Sequence, residues 1–223
     1  MRTILPWDVF WSLLWHATLE TLYMVSLSSL ITIAIGLLLG ILLFITGPNS
    51  ILPHKPINLS ISLVINIGRS LPFIILLIAV IPLTRLLIGS AIGSTAAIVP
   101  LTLGAIPFFA RIVESALNEI DKGRIEALQS MGATPKDIIR IVLIPEALPS
   151  LIAGITLLII MLIGFSSMAG VIGGGGLGDL AHRYGYQRFN QRVMLGTVFI
   201  LIVMVQLVQY IGERAVRALA HRR

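Results

Sequence analysis

The stretch that decides how this chain is read is Glu126-Ala127-Leu128-Gln129-Ser130-Met131-Gly132-Ala133-Thr134-Pro135-Lys136-Asp137-Ile138-Ile139-Arg140-Ile141-Val142-Leu143-Ile144-Pro145. It is a polar, punctuated interruption of a very apolar sequence. Glu126 to Met131 reads as the end of a short helix. Gly132 is placed to stop it, because glycine takes a left-handed C-terminal cap without a Cβ clash. Thr134 reads as an N-cap and Pro135 as the first helical residue. Asp137, three residues after Thr134, makes a capping box in which Asp stands for the usual Glu or Gln. A second short helix is expected from Pro135 to about Leu143, ended by Pro145. Two short helices about a glycine hinge make a shaped surface, and a shaped surface points to a partner.

Outward from this stretch the chain is greasy. Of its 223 residues 57% are hydrophobic and only 12% charged, and the mean hydropathy is +0.98. A soluble domain is about 45–50% apolar and about 25% charged. Several apolar runs reach the roughly 20 residues that cross a bilayer. The fold class expected is therefore all-α, a polytopic transmembrane helical bundle forming one domain over residues 1–223. There is no cysteine, which excludes disulfides, thiolate metal sites and a cysteine nucleophile. The net charge of +6 fits cytoplasmic anchoring by Lys and Arg better than nucleic-acid binding. Met1-Arg2-Thr3 is followed by no small-residue cleavage site, so no cleaved signal peptide is expected.

Residues 7–20 carry Trp7, Phe10, Trp11, Leu14 and Trp15 at spacings of three and four. They are expected to form an interfacial amphipathic helix that leads into the first span. Five spans are expected, over about 21–45, 59–87, 92–117, 149–172 and 193–211. Gly36 and Gly40 in the first form a small-xxx-small pair suited to close helix packing. Pro72 and Pro82 predict a broken or kinked second span. Arg69, near its start, either snorkels to the interface or faces an aqueous path. Arg111 and Glu114 in the third span share a helical face and read as an intramolecular pair. The fourth span contains Ser166, Ser167 and Met168, small or polar residues that suit a packed helix or a translocation path.

Five spans put the termini on opposite sides. The side bearing the 121–145 loop would hold Lys55, Lys122, Arg124, Lys136, Arg140, Arg214, Arg217, Arg222 and Arg223. The other would hold Arg2, Arg85, Arg183, Arg188 and Arg192. The larger cationic share places the loop and the C-terminus in the cytoplasm and the N-terminus outside.

Several chemistries are excluded. The run Gly173 to Gly178 lacks the Lys and Ser or Thr that a phosphate loop needs, and no strand precedes it. It reads as a flexible, sterically open turn, a hinge or a place of close subunit approach. His16, His54, His182 and His221 are dispersed without metal spacing, so no metal site is expected. Gly164-Phe165-Ser166-Ser167-Met168 lacks the closing glycine of a nucleophile elbow. A helix-turn-helix reading of the 121–140 region fails on charge, since its cations are nearly matched by Asp121, Glu126 and Asp137. No catalytic residue and no bound cofactor are expected, and no nucleic-acid partner.

With those residues in view, the opening stretch resembles the cytoplasmic "EAA" loop of ABC importer permeases: Glu-Ala-Ala, three residues, Gly, nine residues, then Ile-x-Leu-Pro. Glu126, Ala127, Gly132 and Pro145 match, Leu128 replaces the second alanine, and Val142 and Ile144 are conservative changes. The resemblance narrows to the methionine-type permeases through Arg69-Ser70-Leu71-Pro72-Phe73, Ala97-Ile98-Val99-Pro100, Met131-Gly132-Ala133-Thr134-Pro135, Pro145-Glu146-Ala147-Leu148-Pro149 and Gly176-Leu177-Gly178. It implies a type I ABC importer permease fold in a bacterial inner membrane, with residues 121–145 as the cytoplasmic coupling loop. It implies a second copy of the chain, two ATPase subunits that bind ATP-Mg, and a periplasmic or lipid-anchored methionine-binding protein. Glu126, Ala127, Gly132, Thr134, Pro135 and Pro145 would couple to the ATPase. Ser166, Ser167 and Met168 would lie on the translocation path. The competing readings are an osmoprotectant permease of the same class, a stand-alone channel or secondary transporter, and a membrane scaffold.

Overall fold

The computed structural model describes residues 6–48 and 50–220, the side chain of Ala220 excepted. Arg2, Asn49, His221, Arg222 and Arg223 lie outside the described residues. Among those described, every regular element is helical: α1 (Trp7–Thr46), α2 (Lys55–Ser70), α3 (Phe73–Ala79), α4 (Ile81–Ile88), α5 (Ser94–Asn118), α6 (Lys122–Ser130), α7 (Pro135–Ile138), α8 (Ile144–Ala169), α9 (Gly176–Leu180) and α10 (Gln191–Ala220). Four helical stretches are long and apolar enough to cross a membrane, and the broken pair α2 and α3 makes a fifth if counted as one span.

The expected boundary between an interfacial helix and the first span is absent. Residues 7–46 form one helix of 40 residues, roughly 60 Å long at 1.5 Å per residue. No glycine or proline occurs between His16 and Ile35, so nothing local interrupts it. The second span is broken, as its prolines require. Pro72 precedes α3 and Pro82 sits in the first turn of α4, where its missing N–H costs nothing. The fifth span runs past its expected end at Ile211, as far as Ala220.

The chain forms two compact units. One draws on Met1–Ile31, Leu71–Ala105 and Leu158–Tyr210, the other on Thr32–Ser70, Ile106–Leu157 and Ile211–Arg223. In the first, Phe10, Leu14 and Ala17 of α1 pack with Leu177 and Leu180 of α9 and Val193 of α10. Trp7, Trp11 and Trp15 occupy the other face of α1 and are exposed. Phe73 stacks on Phe165 with ring centroids 4.0 Å apart.

The second unit is built around Leu43, Ile65 and Ala110. Gly36 and Gly40 allow the close packing their spacing predicts. A Cβ on Gly36 would lie 2.8 Å from the Phe109 ring, and one on Gly40 would strike Val113. The Arg111–Glu114 pair forms at 2.6 Å.

The glycine run is not an open turn. Gly174, Gly176 and Gly178 are buried. A Cβ on Gly178 would collide with the Ser167 backbone, and one on Gly176 would reach Thr21 and Met24. The Gly176 N–H donates to the Glu20 carboxylate at 2.7 Å, and the Leu177 N–H to the Thr21 hydroxyl at 2.9 Å. Glu20 and Thr21 of α1 thus satisfy the free donors at the start of α9. Glycine permits both positive φ and close backbone approach, and here the packing uses both.

Candidate functional site

The local chemistry of residues 121–145 sets the geometry of the surface. Asp121 caps α6, its carboxylate accepting from the Gly123 N–H at 2.9 Å. At the far end Gly132 adopts φ +79°. Its N–H donates to the Gln129 carbonyl at 3.0 Å, and the Ala133 N–H donates to the Leu128 carbonyl at 3.1 Å. This pair of bonds is a Schellman cap, which needs a left-handed residue where Gly132 stands. Two residues later Thr134 caps α7. The Asp137 N–H donates to the Thr134 hydroxyl at 3.3 Å and the Thr134 N–H to the Asp137 carboxylate at 3.1 Å, closing the capping box. The Thr134 hydroxyl also donates to the Asp137 carboxylate, and this bond, with that from the Thr134 N–H, holds the Asp137 carboxyl below its usual range. α6 is also tied to the start of α8 by an ion pair between Arg124 and Glu146.

Pro145 does not end the second helix. Residues 139–143 form a wide turn in which the Ile144 N–H donates to the Ile139 carbonyl, and α8 follows directly. Proline is excluded from a regular helix by its missing N–H and its clash with the carbonyl four residues back. A turn with five-residue spacing relieves both constraints. Pro149 is carried inside α8 as well.

Ile125, Ile138 and Leu143 turn inward and are buried. Glu126, Ala127, Gly132 and Thr134 are exposed, Pro145 is exposed, and Pro135 is half-buried. Met131 is 81% and Ile141 61% exposed. The structure therefore gathers the first five predicted residues, from Glu126 to Pro135, on a short, doubly capped segment with apolar side chains uncovered. Pro145 stands apart, beyond the wide turn. Leu128, the bulky departure from the motif, is half-buried, and its carbonyl serves the cap. Behind α6 lies a cavity of about 280 Å³ lined in part by Glu126, Gln129, Asn58, Glu114 and Lys122.

Ser166, Ser167 and Met168 do not share a surface. Ser166 is buried with its hydroxyl donating to the Ile163 carbonyl at 2.8 Å, and Ser167 donates to the same carbonyl at 3.2 Å. Met168 is 48% exposed, one turn beyond the exposed Gly164. Glu20 is a positioning residue that local patterning missed, since its partner Gly176 lies far along the chain. Among the described residues no group of three or more His, Cys, Asp or Glu could hold a metal ion.

Residues 33–223 match the family described as binding-protein-dependent transport system inner membrane component. The chain is 51% identical over 222 residues to a probable D-methionine transport system permease protein of Vibrio cholerae, covering 99% of each. It is 51% identical over 201 residues to the methionine import system permease protein of Bacillus subtilis, covering 90% of each. Its structure is similar to a chain of the MetNI methionine ABC transporter in inward-facing conformations, with TM-score 0.94 and 46% identity, covering 96% of this chain and 99% of that one. A chain of an amino acid ABC transporter solved with histidines shares the fold at TM-score 0.79 and 22% identity, covering 95% of this chain and 96% of that one.

Proposed function

The chain belongs to the family of binding-protein-dependent transport system inner membrane components, and from that premise we propose that it is the permease subunit of an ATP-driven importer for methionine, its D isomer and related compounds. The relatives' substrates support the solute. The observation that carries the mechanism is the exposed, doubly capped segment from Glu126 to Pro135. Energy enters through a separate ATPase that binds ATP-Mg. Two copies of the chain pair, and each presents its 121–145 loop to one ATPase subunit. Glu126 makes a polar contact there, Ala127 enters a tight cleft, and Gly132 sets the angle between the halves, with Thr134 and Pro135 shaping the second. Pro145 shapes the passage from the loop into α8.

Residues 1–223 act as one permease domain of a bacterial inner membrane, with the N-terminus outside and the loop and C-terminus cytoplasmic. Trp7, Trp11 and Trp15 anchor the start of α1 at the interface. A periplasmic or lipid-anchored protein delivers the solute. Closure of the ATPase pair pulls on the loops and shifts the balance between inward and outward openings by its differential affinity for the two states. Met168 carries the gate on α8, with Ser166 and Ser167 holding the helix behind it.

Gly132→Val tests the coupling. A β-branched residue is strained in the left-handed region, and a Cβ at this position meets no atom within 4 Å. Assembly with the ATPase should persist while methionine-stimulated ATP hydrolysis falls about tenfold or more. Wild-type coupling in that variant would overturn the assignment.

A further inference from the structure

Two arginines of the second unit, Arg69 and Arg111, line one groove and are bound quite differently. Arg111 is engaged through both terminal nitrogens, while its Nε is buried without a partner among the described residues. Its guanidinium donates to Glu114 at 2.6 Å, to the Ser62 hydroxyl at 2.6 Å and to the Asn66 side-chain carbonyl at 2.9 Å. Ser62 and Asn66 lie on α2, so Arg111 fastens α2 to α5. Arg69 follows on the same face of α2, because positions 62, 66 and 69 recur at helical spacing. The next residue back, Gly68, lies against Pro107 of α5, close enough that an added Cβ would sit 2.6 Å from the proline ring. The backbone that carries Arg69 is thus held in place. Its own guanidinium is exposed and has no hydrogen bond or ion pair among the described residues.

The groove has a volume of about 460 Å³ and is lined by Arg69, Phe108, Ile112, Ser115, Glu119 and Leu157 among others. That is the size of a small-molecule site, roughly 300–1,000 Å³. An unpaired arginine on a spanning segment is costly facing lipid and belongs beside water. Guanidinium matches carboxylate geometry with two parallel N–H donors. Phe108, Ile112 and Leu157 offer apolar wall beside it. Glu119 holds Ser150 at 3.1 Å through one oxygen. From position 108 to 119 the chain rises roughly 16 Å, too far for one amino-acid head group to touch both ends together.

We propose that this groove is a solute waypoint for zwitterionic amino acids with apolar side chains, in which Arg69 takes the carboxylate and Glu119 meets the ammonium later along the same path. The assignment rests on the importer reading and deepens it. A single exposed arginine suits a step that must release its ligand, since conduction needs binding that is favourable yet weak enough to leave.

The test uses the complete importer, permease with ATPase subunits and solute-binding protein, in sealed vesicles. Radiolabelled methionine uptake per ATP hydrolysed is compared for wild type, Arg69→Gln and Arg69→Lys. Arg69→Gln should lower uptake about tenfold with assembly and basal ATP hydrolysis unchanged, and Arg69→Lys should recover part of it. Equal uptake by wild type and Arg69→Gln overturns the assignment alone. So does a loss of uptake that tracks lost assembly. A deficit present only in vesicles containing anionic lipid, and absent in phosphatidylcholine vesicles, overturns it in favour of lipid phosphate as the ligand of Arg69. Wild-type vesicles that accumulate no methionine would overturn the importer reading and this assignment with it.

Discussion

Gly132 and Gly176 share nearly the same backbone, φ +79° and +76°, and have opposite surroundings. Gly132 is exposed, and a Cβ there would touch nothing within 4 Å. Gly176 is buried, and a Cβ there would press on Thr21 and Met24. One glycine serves a turn that must stay uncovered. The other serves a turn pressed against α1. The difference teaches that punctuation in a sequence reports backbone conformation, while the use made of that conformation depends on what the rest of the chain brings near it. The coupling surface is shaped by its own caps, and the glycine run by its neighbours.

The largest effect expected from this contrast lies at Gly178. The atoms a Cβ would meet there are Ser167 backbone, which cannot swing aside. Gly178→Val should cost about 3 kcal/mol or more, at or above the upper range of overpacking. An unchanged melting temperature of the detergent-solubilised protein would break the comparison. Glu20→Ala comes next. It strands the Gly176 N–H, a buried donor, at about 1–3 kcal/mol. Glu20→Gln keeps an acceptor and should melt close to wild type, and equal melting of both variants would remove Glu20 from the account.

The smallest effect belongs to the coupling surface. Thr134→Ala should cost about 1 kcal/mol, as for other N-caps. It should be felt as lower amide protection across residues 135–143, with global melting hardly moved. The hydroxyl and N–H of Thr134 hold the folded Asp137 carboxyl below the usual carboxylate value of about 3.9. Its contribution is therefore complete above that value and lost as pH falls through the lower, folded one. The protection difference between wild type and Thr134→Ala should be constant from about pH 5 upward. A difference that vanished at neutral pH would mean the capping box is not what orders the segment.

What was legible in the sequence follows the same division. Gly132, Thr134, Pro135 and Asp137 act through atoms within a few residues, so their roles could be read from spacing alone. The breaks near Pro72 and Pro82 and the packing glycines Gly36 and Gly40 were legible for the same reason. The unity of α1 was obscured by the tryptophans at its start. They suggested a separate element, although Phe10, Leu14 and Ala17 form the buried face of the same helix. Pro145 reads as a helix stop, whereas it stands in the first turn of α8 after the wide turn, a position that tolerates its missing N–H. The packing of Gly176 and Gly178 depends on Thr21, Met24 and Ser167, which no local pattern connects to them. Arg69 was legible as a choice between two settings, and the groove that it lines involves α5 and α8 residues that no local pattern connects to it.

The wide turn at Ile139–Leu143 has a consequence beyond admitting Pro145. It stores one residue more than a regular helix would need, and each residue turns a helix by about 100°. It therefore sets the azimuth of α8 relative to α7. Were the same residues wound with regular spacing, everything after them would rotate by about 100°, taking Met168 from its present exposed bearing. The turn is a phase adjuster, fixing which side of α8 looks outward while leaving the capped segment before it undisturbed.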